Sequence, residues 1–354
     1  MRRSRPAAWG LVALLAALPG CAPRLAPGAA DTLLDALFAP PTPAEAAAVE
    51  AEWAGRDTGV HGYRVEWQRM EENGRRTLVV SHTVGGVRHY GALRVPPGAA
   101  ERRLPVLVVA HGGERGVTAY EFFREGPLAE GWVQVLPSYR SERLAVTPLR
   151  WYRSGGPPSP WDRDVDDVMA LLGATLEHVP EADGTRVAVL GRSRGAAVAM
   201  LAAIRDPRVK AVVGFAGPTD FFLPEVRRLA ERAVRSRVAR LPGAGYMADS
   251  VLFALRDGRI TASRARLELL RRSPARFAHR LPPTQLHHGT GDDEVPVAHA
   301  DRLAEAVRAL GPAAPDFEYH RYPGGGHRPR TLHGSRERAE AFLQRVADLP
   351  AARR

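Results

Sequence analysis

The stretch Val187-Ala188-Val189-Leu190-Gly191-Arg192-Ser193-Arg194-Gly195-Ala196-Ala197-Val198-Ala199-Met200 decides how the rest of the chain is read. A valine-rich apolar run reads as a buried strand, Gly-x-Ser-x-Gly follows at once, and an alanine-rich run then reads as a helix. A turn this tight leaves no room for side chains at its flanks, which accounts for Gly191 and Gly195. Ser193 is expected at the tip with its hydroxyl exposed. The helix N-terminus behind it favours developing negative charge. In a chain with 34 glycines the motif alone arises easily by chance; the strand before it and the helix after it give it meaning.

Working outward, strands and helices alternate on both sides of this turn. Leu104–Ala110 is a fully apolar strand, Thr118–Glu130 a helix, Trp132–Leu136 a strand, and Asp162–Leu176 a helix with one apolar face. After the serine come strands Val209–Phe215, Pro283–His287 and Asp316–Tyr322, with helices at Val297–Leu310 and Arg336–Leu349. This order predicts an α/β fold with a mostly parallel central sheet and flanking helices. Tyr63–Met70, Arg76–Val84 and Val87–Val95 read as antiparallel strands opening the sheet, with Gly85-Gly86 as a two-residue hairpin turn. Between about residues 224 and 282 lies a helical, arginine-rich insertion, placed where a cap would cover the serine.

The N-terminus reads as an export signal. Arg2, Arg3 and Arg5 precede an apolar run, Ala7 to Leu18, too short to span a bilayer as a mature helix. The segment ends Leu18-Pro19-Gly20-Cys21, which resembles the bacterial lipobox; Pro19 departs from its usual small residue. Residues 1–20 are therefore expected to be a lipoprotein-type signal peptide, with Cys21 lipidated and the protein anchored in the cell envelope. A plain secretory signal and an arginine-pair export signal are the alternatives. Cys21 is the only cysteine, so no intrachain disulfide can form. Residues 21–55, rich in alanine and proline, read as a tether with short helices around Thr32–Phe38 and Ala44–Ala54; residues 56–350 form the main domain. The formal net charge of +11 is carried almost wholly by arginine, since Lys210 is the only lysine. The arginines are spread along the chain, which fits the alanine, proline and glycine bias of a GC-rich coding sequence and argues against a nucleic-acid partner.

A serine hydroxyl needs a base to act as a nucleophile, and the base needs a group to orient it. In this arrangement the chain order is serine, acid, histidine. Asp292 follows a late strand in a glycine-containing turn; Asp293 beside it and Asp220, after Val209–Phe215, are rivals. His327 ends the glycine run Gly324-Gly325-Gly326; His320 and His333 are weaker candidates. A tetrahedral intermediate also needs donors for its oxyanion. His111-Gly112-Gly113, after the strand Leu104–Ala110, and the backbone N–H of Arg194 are the candidates. No cofactor motif and no metal-ligand spacing stands out.

The elbow Gly191-Arg192-Ser193-Arg194-Gly195, the segments His111-Gly112-Gly113 and Ser138-Tyr139-Arg140-Ser141, Ser273-Pro274, the run His288–Pro296 and Gly324-Gly325-Gly326-His327 together resemble the catalytic domain of the prolyl oligopeptidase (S9) family of α/β-hydrolases. The resemblance runs from about Leu104 to Leu349. It implies an α/β-hydrolase fold, with Ser193 as nucleophile, Asp292 as acid and His327 as base. It also puts His111 where some members place a tyrosine that helps bind the oxyanion. Ala196 departs from the second glycine common after the serine segment, and the stretch from Cys21 to Leu104 is too short for the family's β-propeller. The expectation is a serine hydrolase acting through an acyl-enzyme on peptides, amides or small-molecule esters. A carboxylesterase and a non-catalytic binding scaffold are the alternatives. The arginines of the insertion suggest an anionic substrate or surface.

Overall fold

The computed structural model describes residues 28–98, 103–124, 131–236 and 244–350. The expected signal peptide and Cys21 lie outside these residues.

Two helices come first, α1 (Ala29–Phe38) and α2 (Pro43–Ala54). Thr42-Pro43-Ala44-Glu45 starts α2 with a reciprocal cap: the Thr42 hydroxyl accepts from the Glu45 N–H at 3.2 Å, and the Glu45 carboxylate accepts from the Thr42 N–H at 2.8 Å. Three antiparallel strands follow, β1 (His61–Met70), β2 (Arg76–Val84) and β3 (Val87–Val95). Gly85 and Gly86 turn between the last two with φ of 54° and 78°, the left-handed pair that a two-residue hairpin demands.

The chain then alternates through β4 (Leu104–Ala110), β5 (Val117–Thr118), α3 (Ala119–Arg124), β6 (Val133–Pro137), β7 (Arg143–Thr147), β8 (Arg150–Arg153), α4 (Arg163–His178), β9 (Ala182–Arg192), α5 (Arg194–Arg205) and β10 (Val209–Phe215). The insertion contributes α6 (Pro224–Ser236), α7 (Ala244–Met247), a π-helical turn at Ala248–Leu252, α8 (Phe253–Arg256), α9 (Ala262–Leu270) and a 3₁₀ segment at Pro274–Arg280. Then come β11 (Thr284–Gly289), α10 (Ala298–Arg308), β12 (Phe317–Tyr322) and α11 (Ser335–Ala347).

Among the described residues, nine strands form one sheet in the order β1-β2-β3-β6-β4-β9-β10-β11-β12, parallel from β6 onward. Side chains alternate across it. Val106 and Val108 of β4 face the layer of α4, α5 and α10, while Leu107 and Val109 face the layer of α3 and α11. The chain leaves β4 toward β6 on one side and leaves β9 toward β10 on the other. The ends of β4 and β9 therefore flank a crevice where strand order reverses, the place where open α/β sheets bind ligands.

Three features depart from the sequence reading. Helix α3 starts at Ala119, with Thr118 in β5, and of the expected Thr118–Glu130 the part after Arg124 lies outside the described residues. Strands β5, β7 and β8 form a small second sheet; β8 is mostly exposed, so no apolar alternation announces it. The largest difference is in residues 29–54, read as part of a tether. Leu34, Leu37, Val49 and Trp53 are buried in the main core, so α1 and α2 belong to the domain.

The insertion's arginines explain that docking. Asp31, Asp35, Glu45, Glu50 and Glu52 of the first two helices pair with Arg235, Arg227, Arg266, Arg280 and Arg271 respectively. Most such surface pairs contribute little, but Arg266 is 9% exposed and does more. It donates to the carbonyls of Ala36, Leu37, Ala39 and Pro40 and to the Glu45 carboxylate, closing the end of α1. The Arg266 bond, helped by the α2 cap, holds the Glu45 carboxyl down at about 2. Part of the insertion's arginine charge is thus taken up by the acidic residues of α1 and α2.

Candidate active site

Ser193 sits between β9 and α5 with φ 55° and ψ −126°, a strained left-handed conformation for a residue with a side chain. The surroundings fix it there. A β-carbon on Gly191 would overlap the backbone of Gly195, and one on Gly195 would overlap the backbone of Ala110. The Ser193 N–H donates to the Phe215 carbonyl at 2.8 Å, tying the turn to β10. Ala196 replaces a further glycine without strain, because the facing Gly217 supplies the space.

Asp292 lies just beyond β11, 8% exposed. Its carboxylate meets His327 Nδ1 at 2.9 and 3.1 Å. Oδ1 also accepts from the N–H groups of Glu294 and Val295 at 3.0 and 2.9 Å. Burial alone would raise this carboxyl. Hydrogen bonds from His288, His327 and the Val295 backbone outweigh it and hold it well below the usual carboxylate range. A carboxylate only accepts, so His327 Nδ1 carries the proton and Nε2 is left as the acceptor. The loops bearing the two residues are bonded to each other: Gly291 N–H donates to the Gly325 carbonyl at 2.8 Å, and Thr290 N–H to the Tyr322 carbonyl at 2.9 Å.

The rivals are elsewhere. Asp220 is fully buried and pairs with Arg276 and Arg302 at 2.8 and 3.2 Å. Asp293 is exposed. His320 lies in β12 beside Glu318, and His333 is exposed before α11. Ser193 and His327 line one cavity of about 1540 Å³, together with His111, Gly112, Gly113 and Arg194.

Gly112 touches the elbow: a β-carbon on it would lie 2.9 Å from the Arg192 carbonyl and 3.2 Å from the Ser193 β-carbon. The His111 ring stacks on Tyr139 at 4.1 Å, with Nδ1 3.1 Å from the Gly112 carbonyl. Burial, aided by the Arg194 charge, lowers this imidazole to about 3, so it is neutral at working pH.

Sequence reasoning named Arg194 for its backbone alone. Its guanidinium is buried, forks onto Asp164 at 2.8 and 2.9 Å, pairs with Glu142, and donates to the Gly113 carbonyl at 2.9 Å. It also lies over the Tyr139 ring, whose hydroxyl donates to the His111 carbonyl at 3.1 Å. Arg194 thereby pins the His111–Gly113 loop against the elbow. Arg192, in the same motif, is exposed, so the sequence carried no signal that Arg194 is the buried one. His288 was also missed as a functional group: Nε2 donates to the Val295 carbonyl at 2.8 Å and stands 3.3 Å from Asp292. Glu294, half exposed, faces His327 Nε2 at 3.7 Å. Among the described residues no group of three or more metal-ligating side chains is arranged to hold an ion.

Comparison with known proteins supports the fold. The family model described as esterase PHB depolymerase matches residues 89–226, a span that includes Ser193 and stops short of Asp292 and His327. No curated protein matches the sequence. Acetyl xylan esterase 1 from Thermoanaerobacterium sp. JW/SL YS485 superimposes with a TM-score of 0.64 at 18% identity, covering 89% of this chain and 98% of that one. An acetyl xylan esterase from Paenibacillus sp. R4 gives 0.57 at 18% identity over 88% and 98%. An alpha/beta hydrolase from Penicillium sp. sh18 gives 0.53 at 18% identity over 77% and 99%. The chain has an α/β-hydrolase fold, as the resemblance to the S9 catalytic domain implied. These matches do not carry the peptide specificity of that family.

Proposed function

We propose that the protein is a serine hydrolase of carboxylic esters, acting through an acyl-enzyme on Ser193. The observation that carries this reading is the Asp292–His327 pair at 2.9 Å, opening onto the same cavity as a serine held at φ 55°. The esterase description of the matched family and the esterase titles of two structural neighbours favour esters over peptide bonds.

The chemistry follows from the arrangement. With Nδ1 protonated toward Asp292, His327 Nε2 is free to take the Ser193 proton as Oγ attacks the ester carbonyl. The oxyanion meets the backbone N–H of Arg194 at the start of α5 and N–H groups of the Gly112–Gly113 stretch, donors of the kind that stabilise developing negative charge. His327 then passes its proton to the leaving alcohol. Water repeats the sequence on the acyl-enzyme, releasing the acid. Ser193→Ala should abolish labelling by a fluorophosphonate and lower p-nitrophenyl ester hydrolysis by roughly 10⁴–10⁶. Undiminished labelling of that variant would remove the assignment and leave the fold as a binding scaffold.

A further inference from the structure

Resting on the ester reading, we infer that the substrate carries a long apolar arm, medium-chain acyl or of similar bulk, held beneath the insertion. The cavity at Ser193 has a volume of about 1540 Å³, larger than the 300–1,000 Å³ usual for small-molecule sites. An acetyl group would fill a minor part of it. Its inner wall is apolar and comes from separate parts of the chain: Phe38 at the end of α1, Trp161 before α4, Phe221 after β10, Leu229 on α6, and Met247 and Leu252 of the insertion. The π-helical turn matters here, because its wider winding brings Met247 and Leu252, five residues apart, onto the same wall. Ala230 and Ala233 of α6 line it as well, 2% and 1% exposed, and their small size keeps the space open. Charged residues of both signs, among them Arg192, Arg328, Glu114 and Glu294, also line the cavity, so charge does not select one sign of substrate. Apolar area does the selecting.

A buried methylene is worth roughly fourfold in affinity. Against a p-nitrophenyl series used below micelle-forming concentrations, kcat/KM for the octanoate should exceed that for the acetate by at least about tenfold. Ala233→Phe, which fills the wall, and Phe38→Asp, which charges it, should each lower the octanoate-to-acetate ratio by about tenfold. Fluorophosphonate labelling of Ser193 reports that each variant is folded. Phe38 is only half-buried at a helix end, so its variant tests the wall even where Ala233→Phe does not fold. Ser193-dependent turnover with no preference for the longer chain would overturn this inference and leave the ester reading standing. A ratio unmoved in labelled Phe38→Asp would overturn it too. Absence of Ser193-dependent turnover across the series would instead overturn the ester reading on which it rests.

Discussion

Gly289 and Gly325 meet backbone to backbone, so close that a β-carbon on Gly289 would overlap the Gly325 carbonyl. That approach sets the spacing of the loops carrying Asp292 and His327. Gly289→Ala should therefore stretch the 2.9 Å Asp292–His327 contact and cut kcat/KM by about 100-fold or more, since small misplacements of catalytic groups cost rate steeply. Gly245→Ala, at an exposed position with nothing near its added methyl, should leave kcat/KM unchanged. Equal kinetics for the two variants would show that the glycine contact does not position the pair.

Asp292→Asn and Asp220→Asn should separate activity from stability. The first removes the acceptor that fixes the His327 tautomer, and activity should fall by about 10³–10⁴, far beyond what any accompanying loss of stability explains. The second leaves Arg276 and Arg302 without their buried partner and should cost about 1–3 kcal/mol of stability, while the folded fraction keeps its rate. Calorimetry and steady-state kinetics on the same samples decide it; a larger rate loss at Asp220 would move the acid to the end of β10.

Arg194→Met should both destabilise and slow the enzyme. Removing the guanidinium strands Asp164 and Glu142 in the interior, a loss of about 3–5 kcal/mol. It also frees the Gly113 carbonyl, loosening the proposed oxyanion loop, so kcat should fall more than KM rises. Arg194→Lys retains the charge without the fork and should recover part of the stability and little of the rate. Wild-type kcat in folded Arg194→Met would separate this cluster from the chemistry.

Acid should destabilise the fold earlier than its carboxylates alone dictate. Burial lowers His82 to about 4 and His89, His287 and His299 to about 3, each below the imidazole's ordinary 6.5. The unfolded chain binds protons that the folded chain refuses, so stability is full above pH ~6.5 and drains as pH falls toward those lower values. Each such histidine contributes a slope of at most about 1.4 kcal/mol per pH unit. Denaturant melts of wild type and His82→Leu at several values between pH 7 and 4 should show the shallower slope in the variant; identical slopes would rule His82 out as a contributor.

Location is tested at Cys21, a residue that only the sequence describes. Membrane fractionation should find the protein with the envelope, and Cys21→Ser should release it or block processing, because two or more acyl chains give stable anchoring. Recovery of the wild type wholly in the soluble fraction would contradict the lipobox reading of Leu18–Cys21.

The sheet and the triad candidates were legible because their signals are local. Val187–Leu190 is apolar enough to be a strand, and Gly191 and Gly195 are required wherever a strand turns so sharply into a helix. His327 was legible through the glycines before it. Asp292 could not be separated from Asp220 by spacing, since both follow parallel strands; only their partners, His327 in one case and two arginines in the other, distinguish them. The docking of α1 and α2 was illegible for a different reason. Their ion pairs with the insertion join residues 192 to 230 positions apart, which no window of sequence brings together.

Arg266 joins two things the chain keeps far apart, α9 and the end of α1 at the wall of the cavity. Helix α1 is held along its length by the Asp31–Arg235 and Asp35–Arg227 pairs and by buried Leu34 and Leu37, and at its end by Arg266. One guanidinium thus ties the end of α1 to α9, and Phe38 of the cavity wall sits among the carbonyls it holds, so whatever loosens Arg266 loosens that wall too.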